Sequence, residues 1–230
     1  MTQKEPEQPP LAVDIDGTLT FQDGSLDPKV MTPLREWPAP VVVTTGKVLP
    51  NATALCKFTG VPETAVAETG GVVYADDHLF HLGQPGAADG FVEEYRSRGY
   101  DLGWGEADIV NRWRETEVAV NLDNNLDVVE EVAENHGLEV VDTGYAYHVK
   151  SPDVSKGEGL EKACEVLGLD PGMFVAVGDS ENDTSTFGTV GMSFAVANAD
   201  ERALRSADEV TEKEYSAGFL EALKRIKNGS

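Results

Sequence analysis

Two aspartates one residue apart, Asp14 and Asp16, lie at the end of an apolar run in the segment LAVDIDGTLT. A second acidic pair, Asp179 and Asp183, follows another apolar run in the segment MFVAVGDSEND. Carboxylates that are brought together repel one another unless a cation neutralises them, and a site built from oxygen ligands favours a hard divalent ion. If the fold brings the two pairs together, these four aspartates predict a Mg²⁺ site.

Three further residues could bind an anion beside such a metal. Lys156, at a predicted helix start in DVSKGEG, supplies a positive charge, while the Thr45 hydroxyl and the Gly46 amide in VVVTTGK offer hydrogen-bond donors. Together with the metal they would form a pocket for a tetrahedral dianion. This set suits phosphoryl transfer to an aspartate: one carboxylate attacks phosphorus, and its neighbour two residues on protonates the leaving oxygen and later activates water.

The elements that must position these residues alternate between strands and helices at both ends of the chain. The pattern predicts strands at LAVDI, PVVVTT, MFVAV and SFAV, and helices at residues 28–37, in LPNATALCKF and in GLEKACEVLG. Continuous apolar strands are typical of a parallel sheet covered on both faces by helices. The predicted fold class is therefore α/β, with a Rossmann-like doubly wound parallel sheet. Asp14, Thr45 and Asp179 are expected at one crevice outside the carboxyl ends of its strands.

The middle of the chain, residues 82–153, has a different pattern, α-β-β twice over. It predicts helices near 87–99 and 126–137, and strands near 107–113, 116–122, 138–143 and 146–150. Such a segment would form an inserted α+β (αββαββ) cap domain, with an antiparallel sheet and helices on one face. Residues 1–81 and 154–230 would then form the Rossmann-like core, and the two crossings between core and cap could act as hinges.

The charge balance is strongly acidic. The chain of 230 residues has 18 Lys and Arg against 41 Asp and Glu, a formal net charge of -23. Because no basic stripe offsets this field, nucleic acids and anionic membranes are not expected as partners. The acidic residues are dispersed along the chain and lysine is sparse, which indicates a solvated carboxylate surface suited to very high salt.

Several features bear on where the chain works. No apolar run is long enough to span a bilayer, and the segment MTQKEPEQPP lacks the basic and apolar regions of a signal peptide, so a cytoplasmic location is expected. The two cysteines, Cys56 and Cys164, each lie in a segment with helical apolar spacing. They are expected to be buried, reduced thiols without a disulfide or a metal.

The four motifs DIDGTLT, TTGK, the lone SKG and GDSENDTSTF resemble, in order and spacing, those of haloacid dehalogenase-like phosphatases. The resemblance covers most of the chain, because the inserted segment falls where that family places its larger cap. Within the superfamily, the compact cap and the segment AETGGVVY are most similar to the archaeal phosphoglycolate phosphatases of halophilic type. The sucrose-phosphatase-like sugar phosphatases are near relatives.

The resemblance implies roles for the candidate residues. Asp14 would be the nucleophile, Asp16 the acid and base, and Lys156 a phosphate ligand. Mg²⁺ would be held by the ligands Asp14, the backbone carbonyl of Asp16, Asp179 and Asp183. The implied reaction is hydrolysis of 2-phosphoglycolate to glycolate and phosphate, and the alternative is hydrolysis of a sugar phosphate.

Two positions depart from the family's common pattern. The chain has Glu68-Thr69-Gly70 where relatives commonly have Glu-Asn-Gly, and Lys47 where arginine or asparagine is more usual. Neither position touches the predicted phosphate chemistry.

Other interpretations of the same residues stay open. A phospho-acceptor signalling module also uses an aspartate at a strand end with Mg²⁺, but it would lack the insert and the second acidic motif. A catalytically dead relative would have lost Asp14 or Asp16. In the insert, four residues either face the crevice or lie on the sheet surface: Arg112, Arg114, Tyr147 and His148. The substrate would be a small phosphorylated acid or a sugar phosphate, and a homodimer is a further expectation.

The acidic composition generates a prediction about salt. At 0.01 M salt the Debye length is about 30 Å. The net charge of -23 should then repel an anionic substrate, and the acidic groups of the protein should repel one another. At 1 M the length falls to about 3 Å, and only groups within the pocket are felt. We expect the thermal midpoint and kcat/KM both to rise from low salt to molar KCl at saturating Mg²⁺. Flat or falling values across that range would contradict the halophilic interpretation.

Overall fold

The computed structural model describes residues 8–229, which contain eleven strands and eight α-helices. The strands are β1 (Leu11–Asp14), β2 (Val41–Thr44), β3 (Ala65–Ala67), β4 (Val72–Ala75), β5 (His78–His81), β6 (Val118–Asn121), β7 (Glu139–Asp142), β8 (Ala146–Lys150), β9 (Val175–Gly178), β10 (Met192–Ala195) and β11 (Glu209–Val210). The helices are α1 (Met31–Arg35), α2 (Leu49–Thr59), α3 (Asp89–Ser97), α4 (Leu126–Asn135), α5 (Lys156–Leu167), α6 (Thr184–Thr189), α7 (Glu201–Ser206) and α8 (Tyr215–Asn228).

The large sheet has eight strands in the order β11-β10-β9-β1-β2-β3-β4-β5. Its pairs are parallel from β11 to β3, and β4 and β5 extend it antiparallel at one edge. Successive residues of β1 point to opposite faces, so Leu11 and Val13 join one apolar cluster with Phe219 of α8, while Ala12 joins another with Leu160 of α5. Both faces of the sheet are therefore covered by helices, and the predicted fold class is confirmed.

The register of the sheet brings the candidate motifs to one edge. Asp14 at the end of β1 is paired with Thr44 on β2, and Val13 is paired with Val177 on β9. Asp179 directly follows β9, so the first and second acidic pairs emerge side by side from neighbouring strands. The candidate motifs therefore meet at the carboxyl ends of the strands, as the apolar runs predicted, because these strands pair in parallel.

The small sheet has three antiparallel strands in the order β6-β8-β7. Its core packs against α3 and α4, through an apolar cluster that includes Phe91, Tyr95, Val129, Val132, Val120 and Val149. All three strands fall within residues 82–153. That this segment is an independent cap domain stays a prediction.

The predicted strand near residues 107–113 is wrong, because that segment forms turns. The side chain of Asn111 takes the place of a strand at the free edge of β6: its Oδ1 accepts the Ala119 amide at 2.7 Å, and its Nδ2 donates to the Ala119 carbonyl at 2.9 Å. Ile109 and Trp113 are exposed instead of facing the core. The first half of the doubled αββ pattern therefore contains a single strand, β6.

The structure of the two cysteines is as the sequence predicts. Cys56 on α2 and Cys164 on α5 are both buried and free, and burial raises the pKa of each thiol to about 11. Among the described residues, none of the helices combines the length and apolarity that a bilayer crossing needs. Most of the N-terminal segment on which the signal-peptide prediction was based lies outside the described residues.

Candidate active site

A single buried lysine joins the two acidic motifs. The Lys156 ammonium donates to Asp14 Oδ1 at 2.6 Å and to Asp183 Oδ1 at 2.8 Å, and its side chain is 0% exposed. Carboxylate oxygens of Asp14, Asp179 and Asp183 all lie within 4.8 Å of one another. Four of the predicted site residues thus form one cluster.

Local structure fixes each member of this cluster. Lys156 is the first residue of α5, and the Ser155 side chain caps that helix by accepting the Glu158 amide. Asp183 follows β9 in a short 3₁₀ turn, where its Oδ2 accepts the amides of Asp179 at 3.0 Å and Ser180 at 3.1 Å. Asp183 therefore orients the turn with one oxygen and Lys156 with the other.

Gly17 allows the loop after β1 to approach the second acidic motif. Its φ is +73°, and a Cβ atom there would lie 2.0 Å from Asp179 Oδ2. The neighbouring Thr18 hydroxyl donates to Asp179 Oδ1 at 3.1 Å. A glycine is thus required at this position both for its backbone conformation and for the space that Asp179 fills.

The cluster carries excess negative charge. Burial, opposed by Lys156 and supported by the neighbouring Asp183 and Asp16, raises the pKa of Asp14 to about 7. Burial and the adjacent Asp14 likewise raise the pKa of Asp179 well above its usual range. The carboxylates of Asp14 and Asp183 outweigh the effect of burial and raise the pKa of Lys156. When all three carboxylates are ionised, the single ammonium leaves two negative charges, which a divalent cation with oxygen ligands would balance.

A cavity of about 370 Å³ opens above the cluster, between the large sheet and the small one. Of the predicted site residues, four line this cavity: Asp14, Asp16, Gly46 and Asp179. Thr45 and Lys156 are buried beneath it, as is Asp183. The Thr45 hydroxyl accepts the Lys47 amide at 3.1 Å, which holds the turn after β2.

Two of the four insert residues that were left open, Arg114 and His148, line the cavity, whereas Arg112 and Tyr147 are not among its lining residues. Arg114 and His148 Nδ1 both contact Glu117 Oε1. Burial disfavours charge on Glu117, but His148 and Arg114 outweigh it and lower the pKa of this carboxyl. Arg114 also donates to the Gly46 carbonyl at 2.9 Å. The small sheet is therefore tied to the predicted anion-binding turn.

The comparisons with known proteins agree with this geometry. Haloacid dehalogenase-like hydrolases match the chain over residues 119–223. A phosphoglycolate phosphatase of Halobacterium salinarum is 51% identical over 220 residues, covering 96% of this chain and 98% of the relative. A phosphoglycolate phosphatase of Haloarcula marismortui is 55% identical over 219 residues, covering 94% and 96%.

The chain belongs to the haloacid dehalogenase-like hydrolases. The predicted enzyme class, a phosphatase of this family, is confirmed at that level. Among solved structures, the crystal structure of Thermoplasma acidophilum 0175 aligns with a TM-score of 0.84 at 25% identity, covering 96% of this chain and 98% of that one. The similarity thus extends over both sheets of this hydrolase.

Two buried glutamates that join the two sheets of this hydrolase were not among the site residues predicted from the sequence. The buried Glu68 carboxylate accepts the amides of Glu115 and Thr116 and the Thr116 hydroxyl, at 2.8 to 3.0 Å. Glu117 was also missed, although an acidic residue at the head of the apolar run TEVAVNL is a signal that could have found it. For Glu68 the available signal was an acidic residue directly after the apolar strand β3.

The close approach at Gly17 generates a prediction. We expect Gly17→Ala to weaken divalent-cation binding at least about tenfold, because the new methyl group must displace Asp179. Gly168→Ala is the matched control, since Gly168 has a φ of +67° but open space around its Cβ position. Both variants should lose about 1 to 2 kcal/mol of stability from backbone strain. Calorimetric titration with Mg²⁺ checks the affinity, and equal affinities in the two variants would contradict the packing argument.

Proposed function

We propose that this phosphatase hydrolyses 2-phosphoglycolate through a phosphoryl group carried on Asp14. The observation that carries the proposal is the placement of Asp14 on the cavity wall, with Lys156 bound to its Oδ1. Relatives 51% and 55% identical over nearly the whole chain are named phosphoglycolate phosphatases, which supports this substrate.

In the first step, a carboxylate oxygen of Asp14 attacks phosphorus and the bond from phosphorus to the ester oxygen breaks. Asp16 lies two residues along the chain and lines the same cavity; it takes up a proton from solvent as it leaves Lys47 and donates that proton to the leaving oxygen, so glycolate departs as the alcohol. Lys156 keeps Asp14 aligned and offsets the charge on the transferring group. The Gly46 amide and the Thr45 hydroxyl are proposed as donors to the phosphate oxygens.

In the second step, Asp16 takes a proton from a water molecule as the water oxygen attacks phosphorus. The bond between phosphorus and Asp14 breaks, which releases phosphate and restores the Asp14 carboxylate. One residue thus serves as acid and then as base, as microscopic reversibility of the two half-reactions favours.

The residues present fit a divalent metal, which we propose to be Mg²⁺. Asp14 and Asp179 would hold it directly. Both carboxylate oxygens of Asp183 already accept hydrogen bonds, Oδ1 from Lys156 and Oδ2 from backbone amides. The carboxylate of Asp16 is paired with Lys47 instead, so the ligand proposed at that residue is its backbone carbonyl. When bound, the ion would neutralise charge that develops on the phosphoryl oxygens.

A sugar phosphate is the second candidate substrate, and the size of the cavity supports it. The cavity volume of about 370 Å³ is more room than a two-carbon acid needs. A turnover panel of phosphomonoesters separates the two candidates. We expect the highest kcat/KM for 2-phosphoglycolate, and a higher value for a hexose phosphate would overturn this assignment.

We expect Asp14→Asn to abolish turnover, because an amide is a poor nucleophile and a weaker metal ligand. The matched control is Asp123→Asn, which makes the same chemical change at an exposed turn of the small-sheet segment. Steady-state phosphate release measures both variants. Retention of more than a few per cent of the wild-type rate by Asp14→Asn, with contamination excluded, would remove Asp14 as the nucleophile.

Asp16→Asn should slow the hydrolysis of alkyl phosphates more than that of p-nitrophenyl phosphate, whose leaving group needs little protonation. The variant should be studied by single-turnover phosphorylation, because slow attack by water could mask the difference in the steady state. Equal losses for both substrates in that step would argue against an acid role for Asp16.

A further inference from the structure

Lys47 lies where the two sheets meet, and the proposed mechanism does not use it. Its Nζ is 2.9 Å from Asp16 Oδ2 and 5.5 Å from the centroid of the Tyr145 ring. Tyr145 lies in the turn between β7 and β8 and stacks on Trp104, with ring centroids 5.5 Å apart. The ammonium is therefore placed between the proposed acid on one side and an aromatic ring of the small-sheet segment on the other.

Lys47 differs from the other basic side chains at the cavity in its freedom to change partner. Arg114 is bound to Glu117 and to the Gly46 carbonyl, and its side chain is only 4% exposed. His148 is held at Nδ1 by the same Glu117. Lys47, by contrast, is 32% exposed, and its carboxylate partner Asp16 is 47% exposed. An ion pair between two partly solvated groups is weak enough to exchange.

The mechanism requires that exchange. Asp16 must turn towards the leaving oxygen of the substrate, which takes it away from Lys47. In 2-phosphoglycolate a single methylene group separates that oxygen from the carboxylate, so the substrate carboxylate enters within a few bond lengths of Asp16. A charge-assisted hydrogen bond from the ammonium to this carboxylate would replace the one that is lost.

We propose that Lys47 is the specificity residue for the acidic group of the substrate, and that its ammonium passes from Asp16 to the substrate carboxylate. The inference rests on the proposed function, because it uses Asp16 as the acid. A phosphomonoester without a second anionic group does not break the Lys47–Asp16 ion pair, and so it is hydrolysed less efficiently. Selectivity for an acidic substrate is thereby coupled to the release of Asp16 from Lys47.

The test compares 2-phosphoglycolate with 2-hydroxyethyl phosphate, which has the same chain length but an alcohol in place of the carboxylate. The measured quantity is the ratio of their kcat/KM values. We expect Lys47→Met to lower this ratio about 10- to 100-fold, the usual effect of one hydrogen bond to a charged group. Lys47→Arg should retain most of the ratio, because the positive charge remains.

Lys57→Met is the matched control, since it removes the same charge from a side chain that is 67% exposed and paired with Glu63 at 3.4 Å. Its ratio should equal that of the wild type. Lys47→Gln repeats the measurement with a polar side chain if Lys47→Met folds poorly. An unchanged ratio in folded Lys47→Met or Lys47→Gln overturns the inference.

Failure of the proposed function has a different signature. If Asp14→Asn keeps its activity, the nucleophile is wrong, whatever the selectivity ratio does. If 2-phosphoglycolate is a poor substrate of the wild type and the ratio still falls in Lys47→Met, the preferred acid is a different one and Lys47 retains its role.

Discussion

The pair of contacts from Lys156 to Asp14 and Asp183 is the interaction on which the site depends. It joins the end of β1, the start of α5 and the turn after β9, three elements that are distant in sequence. Removing one partner of a buried ion pair costs about 3 to 5 kcal/mol, because a charge is left unpaired away from water. Lys156 therefore holds the acidic motifs together, and its single positive charge leaves an excess of carboxylates that a divalent cation could balance.

The cavity above the cluster is bounded by a second set of polar contacts between the two sheets. In one contact the large-sheet side chain accepts, and in the other the small-sheet segment supplies the donor side chain. Glu68, beyond the end of β3, accepts backbone amides from the segment that leads into β6. Arg114, in that same segment, donates to the Gly46 carbonyl beyond the end of β2. Both contacts end close to the carboxyl edge of the large sheet, so the chain that closes the cavity is anchored beside the reacting groups.

The large sheet and most of the acidic site could be predicted from the sequence, because buried parallel strands are continuous apolar runs and their ends must share one edge. Residues 107–113 show where that reasoning fails. Their alternation resembles a strand, but an asparagine side chain satisfies the edge of β6, and no local pattern distinguishes the two. Tyr145 was missed for a related reason, since it contacts Lys47 and Trp104, which are far away along the chain.

The central claim is that the cluster of Asp14, Asp179 and Asp183 is completed by one divalent cation. The most direct measurement is the thermal midpoint of the wild type and of Asp179→Asn as Mg²⁺ is increased at constant ionic strength. A ligand that binds the folded state stabilises it by about 1.4 kcal/mol for each tenfold increase in concentration above its Kd. The account predicts a midpoint that rises steadily with Mg²⁺ in the wild type and a much weaker rise in Asp179→Asn. A midpoint that does not respond to Mg²⁺, or that rises equally in both proteins, would contradict it.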